Sequence, residues 1–166
     1  MSSHEYAFSV LALVGVVSAF RLVTAKNVVH AALYLVVTLA MVAGAYLILA
    51  AEFVAWVQVL IYVGAIVILF LFGLMLTKAP IGREALDNQR RGVALLVGVA
   101  LLAGLVFLIL DAFPWGGPKI DPGTGTAAAV GTSIFSRFVL PFEAVSFLLL
   151  GALIGAIVLS RRDDAT

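Results

Sequence analysis

Between Val28 and Leu76 the sequence carries a single charged residue, Glu52. A straight helix over that stretch would be roughly 70 Å long, more than twice the roughly 30 Å hydrocarbon thickness of a bilayer. The stretch must therefore fold back on itself, and Glu52, beside the small residues Ala50 and Ala51, marks the expected turn. No water-soluble core could absorb this much apolar surface. Of the 166 residues, 64% are apolar and only 11% charged, against roughly half and a quarter in ordinary soluble domains.

Three further runs reach the length of about 20 residues that a helical span requires. The predicted spans are 6–23, 28–51, 53–76, 92–113 and 139–160. The fold class expected is all-α integral membrane, with five transmembrane helices in a single membrane domain over 1–166. The leader Met1 to Glu5 lacks the basic n-region of a secretory signal, so the first run is read as a retained span. Lys and Arg set orientation. With the N-terminus outside, only Lys119 and Arg137 of the ten Lys and Arg residues fall on the external side. The chain is therefore expected to run N-terminus outside, C-terminus cytoplasmic.

In that orientation 114–138 is an external loop. Its Pro114, Gly116, Gly117, Pro118, Pro122, Gly123 and Gly125 predict irregular structure. The cytoplasmic loop 77–91 mixes charge signs and reads as a solvated connection. No segment repeats another, and five spans cannot divide into the equal halves common in transporters.

Polar groups inside a membrane are costly and are candidates for function. Glu52 sits at the outer end of the third span, where an interfacial carboxylate would mark the hairpin. Gln58 and Tyr62 are four residues apart and would share an α-helical face with Ala55, Ala65 and Leu69. Such a stripe fits either an interhelical hydrogen bond or a lining for confined water, and Gly64 would let a backbone approach or the helix distort. Glu143 follows Pro141, and an acid in the first helical turn would complement the helix dipole, with Arg137 a possible ion-pair partner. His30 near the start of the second span and Asp111 near the end of the fourth read as structural or interfacial.

The chain has no Cys, which removes disulfides, thiolate metal sites and cysteine nucleophiles. Nor does it contain a phosphate-binding glycine loop, a metal-ligand cluster or a nucleophile paired with a base. An autonomous enzyme is not expected. Small residues at helical spacing, Gly151 with Gly155, Ala152 with Ala156 and Ala100 with Gly104, predict close helix contacts.

Two blocks carry a family resemblance. One is Glu52-Phe53-Val54-Ala55 followed by Gln58 to Phe72, with Tyr62-Val63-Gly64-Ala65-Ile66 at its centre. The other is Leu140-Pro141-Phe142-Glu143 with Ser146 and Gly155 to Leu159. Together with Asn27 and His30 to Leu33, they resemble subunit J of bacterial NADH:quinone oxidoreductase, the respiratory complex I, and its mitochondrial counterpart, NADH dehydrogenase subunit six. The likeness extends over essentially the whole chain.

The resemblance implies a membrane-arm subunit of a proton pump in the bacterial cell membrane, surrounded by lipid bilayer and by subunits A, H, K and N, with no nucleic acid partner. It implies no cofactor in this chain, while FMN, iron-sulfur clusters, NADH and a quinone are bound by other subunits. It also implies a π-bulge in the third helix around Tyr62, Val63 and Gly64 that can relax to an α-helix. One extra residue in a turn rotates everything beyond it by roughly 100°, which would swing Val67, Ile68 or Leu69 into or out of a water path. Two other readings remain open: the same subunit type in a ferredoxin- or F420-linked relative, and a purely structural helix-packing subunit.

Overall fold

The computed structural model describes residues 3–76, 91–113 and 123–161. The expected cytoplasmic loop 77–91 lies almost wholly outside these, as do residues 114–122 of the expected external loop. All described secondary structure is helical. Its elements are α1 (Ser3–Thr24), α2 (Val28–Ile48), α3 (Glu52–Val57), a π-helical segment (Gln58–Ile66), α4 (Val67–Leu76), α5 (Arg91–Ala112), α6 (Ala127–Arg137) and α7 (Val139–Ser160). With α3, the π segment and α4 taken as one span, five helices are long and apolar enough to cross a membrane, as the sequence predicts.

Helices α1 and α2 form the closest pair. Asn27 starts α2 by accepting the Val29 N–H at 2.9 Å through its side chain, which satisfies one of the donors that a helix N-terminus leaves open. Glycines let the two helices approach: a Cβ on Gly15 would lie 3.3 Å from Met41, and one on Gly44 would lie 3.0 Å from Leu11. Between them Ser18, nearly buried, donates to the Gly15 carbonyl at 2.9 Å and accepts from Thr38 at 3.0 Å. In lipid an interhelical hydrogen bond of this kind contributes about 0.6 kcal/mol, so steric fit rather than the hydroxyl pair dominates the contact.

The turn of the long apolar stretch falls at Ala50 and Ala51, two residues before the charge that signals it. Ala50 adopts φ 56, its N–H donates to Leu47 at 3.0 Å, and the Ala51 N–H donates to Tyr46 at 2.9 Å. This is the bonding pattern of a Schellman C-cap, with Ala where Gly is usual. Glu52 is the first residue of α3, exposed and at the positive end of the helix dipole.

One expectation fails in the loop 114–138. Its residues 127–137 are not irregular but form α6. Thr126 caps this helix by accepting the Ala129 N–H at 3.3 Å, and Ala127 to Ala129 are strong helix formers. The Gly and Pro residues that predicted irregular structure stop at Gly125. Glu143 also lies elsewhere than expected. Helix α7 begins at Val139, two residues ahead of Pro141, so Glu143 is its fifth residue and lies beyond the first turn. Pro141 is tolerated because the N–H it lacks is one that no intrahelical acceptor would have reached. No ion pair joins Glu143 to Arg137 among the described residues. Across the corner between α6 and α7, Phe135 and Phe142 pack edge to face with centroids 5.1 Å apart.

Candidate functional site

The third span is α-helical only at its ends. Nine residues, Gln58–Ile66, form a π-helix, a far longer departure than the single-turn bulge in which π geometry usually occurs. Tyr62 is its central residue, followed by Val63 and Gly64.

The π segment changes which residues face inward. Ala55 and Gln58 are buried, at 3% and 8% exposure, and the α2-packed side continues through half-buried Val63 and Gly64 to Val67 at 2%. Half-buried Leu71 and Leu74 complete it. In an ideal α-helix Val67 would stand about half a turn round from Gln58. Each π turn takes up about one more residue than an α turn, and one to two extra residues at about 100° each bring Val67 back beneath Gln58. The stripe expected from α-helical spacing, Gln58 with Tyr62, Ala65 and Leu69, is accordingly broken. Tyr62 is 46% and Leu69 70% exposed. Ile68 is exposed as well.

A Cβ on Gly64 would meet only the Val59 carbonyl oxygen, at an ordinary 3.5 Å. Of the two expectations at this glycine, a close backbone approach and a distortion of the helix, the helix is distorted and the approach is not used. The approach that does occur was not foreseen. Gly125 lies against the α2–α3 turn, and its carbonyl accepts the Phe53 N–H at 3.0 Å. Its only trace in the sequence is the run Gly123-Thr124-Gly125-Thr126 between Pro122 and the alanines that start α6.

The remaining candidates do not converge. His30 lines a polar cleft of about 410 Å³ with Arg21, Thr24, Lys26, Asn27 and Tyr34, at the end of the α1–α2 pair remote from Glu52. Asp111 is the penultimate residue of α5 and Glu143 lies on α7, both exposed. Among the described residues no group of three or more His, Cys, Asp or Glu side chains could hold a metal.

Helices α5 and α7 have no buried residue in their apolar windows. Among the described residues α5 packs on no other helix, and α7 only on α6. The small-residue spacings Ala100 with Gly104 and Gly151 with Gly155 therefore meet no other helix among the described residues: Gly104, Gly151 and Gly155 look onto open space there. Five apolar spans, two of which meet no other span among the described residues, make a multi-pass membrane protein and fit a subunit of a larger assembly.

Comparison with known proteins identifies that assembly. The family model for NADH-ubiquinone/plastoquinone oxidoreductase chain 6 matches residues 18–159, and the chain belongs to this family. NAD(P)H-quinone oxidoreductase chain 6 of Leptolyngbya boryana is 40% identical over 95% of this chain and 79% of its own length. F(420)H(2) dehydrogenase subunit J of Methanosarcina mazei is 39% identical over 94% of this chain and 90% of its own. NADH-quinone oxidoreductase subunit J of Escherichia coli strain K12 is 32% identical, covering 97% and 89%.

Proposed function

We propose that this chain is the subunit of a bacterial NADH:quinone oxidoreductase whose third span gates a water path between quinone reduction and proton pumping. The observation that carries the reading is the π segment, which stores one to two residues of excess twist directly above the buried Val67. Relaxation of one π turn to α geometry, with no residue removed, would turn Val67 about 100° away from α2. Ile66 would take its place, Phe70 would replace Leu71, and Gly73 would replace Leu74. Exchange of branched aliphatic side chains for an aromatic ring and a glycine alters both the bulk and the shape of the space beside α2. The hinge is Tyr62, Val63 and Gly64, and Val67 with Ile68 forms the moving surface.

The chain holds no charge within the π segment or α4, so it would regulate the continuity of water rather than carry the proton itself. Subunits A, H, K and N would supply the surfaces that cover α5 and α7. FMN, iron-sulfur clusters, NADH and quinone would be bound elsewhere in the complex. The N-terminus would lie outside and the C-terminus in the cytoplasm, with residues 1–166 a single membrane domain.

A test is to place Gly64→Ala and Gly64→Leu in the assembled complex and to measure quinone reduction and proton pumping. The contact at 3.5 Å accommodates a methyl group, so Gly64→Ala is expected to pump normally. Gly64→Leu is expected to assemble and to lose most pumping. Full coupling in Gly64→Leu would defeat the gate, and failure of both variants to assemble would favour a helix-packing role alone. The likeness to an F(420)H(2) dehydrogenase subunit keeps a second electron donor in view. The proteins that co-purify with the chain in mild detergent decide between donors.

A further inference from the structure

The third span is held at one end by a segment from outside it. The Phe53 N–H, one of the first donors of α3 that no intrahelical carbonyl can satisfy, donates to the Gly125 carbonyl at 3.0 Å. At the same place the Gly125 backbone presses on the α2–α3 turn. A Cβ there would overlap the Ala50 carbonyl oxygen and would lie 2.9 Å from Ala51 Cα. From this contact the chain passes through the Thr126 cap into α6, which packs on α3 and on α7. At the other end of the span α4 packs only on α2 and the π segment among the described residues.

We propose that the contact between Gly125 and the start of α3 is a stationary clamp that directs any change of twist in the π segment into α4. Gly125 is then a positioning residue: no side chain can be added without parting the loop from the turn, and its carbonyl fixes the first turn of α3. A twist change within a helix must rotate one end relative to the other, and the end tied to α6 and α7 is the one that stays. The inference rests on the gating reading, to which it adds a direction.

The test uses the whole complex in liposomes, with a nitroxide label at Val54→Cys on α3 or at Phe70→Cys on α4, both exposed positions in a chain that has no native Cys. Spectra are compared at rest and during NADH-driven turnover. The Phe70 label is expected to change and the Val54 label to stay constant. Addition of Gly125→Ala is expected to make the Val54 label change too, and to lower the protons moved per quinone reduced severalfold. Gly131→Ala, whose added Cβ would meet open space in α6, should alter neither readout.

A change at both labels in the otherwise unaltered complex overturns the clamp and leaves the gate standing. Constancy at both defeats the gating reading, and the clamp with it. Normal coupling with a constant Val54 label in Gly125→Ala also overturns the clamp. If that variant does not assemble, the two labels in the unaltered complex still decide.

Discussion

Among the described residues, helices α1 to α4 find their packing partners within the chain, whereas α5 finds none and α7 only the short α6. The difference is not one of composition, since α5 belongs to the most hydropathic of the five candidate spans. What separates the regions is where their small residues point. Gly15 and Gly44 sit where a neighbouring helix already is, and Gly104, Gly151 and Gly155 face open space. In lipid, apolar side chains gain little by meeting one another, so close backbone approach and interhelical hydrogen bonds decide which helices associate. The first region has both features, and the second awaits surfaces that other subunits bring.

The largest expected effect comes from the second region. Gly151→Leu together with Gly155→Leu should leave the purified chain as stable to SDS titration as before, because among the described residues no other element comes near a side chain added at those positions. The same pair should prevent incorporation into the complex, measured as the fraction of this subunit that co-purifies with its partners. Normal incorporation would show that α7 faces lipid. In the first region the pattern should invert. Gly44→Leu pushes against Leu11 and should destabilise the purified chain by about 1–3 kcal/mol, the usual cost of overpacking. The smallest effect is expected for Thr38→Val, which removes the hydrogen bond to Ser18 and should cost about 0.6 kcal/mol in the same titration.

Hydrophobic length alone made the five spans legible, because the bilayer fixes how many apolar residues a helix needs. Helix α6 was hidden because the Gly and Pro residues of 114–125 coloured the reading of the whole loop, although Thr126 and Ala127 to Ala129 form an adequate start signal. The π segment could not be read from residue types. Bonding to the fifth residue rather than the fourth leaves composition unchanged; Gly64 allowed a distortion, and only the family resemblance pointed to its π form. For the same reason the expected stripe Gln58, Tyr62, Ala65 and Leu69 failed: it assumed 100° per residue across a stretch that turns more slowly. The clamp at Gly125 joins residues far apart in sequence, and no local pattern announces such a contact.

The central claim is that the excess residue in the third span matters by its twist. Deletion of Val63 removes one residue of excess while Val67, Leu71 and Leu74 keep their places toward α2. The decisive measurement is the number of protons pumped per quinone reduced by complex that carries this deletion. The account predicts an assembled complex in which that ratio collapses. An unchanged ratio at a normal turnover rate would contradict it.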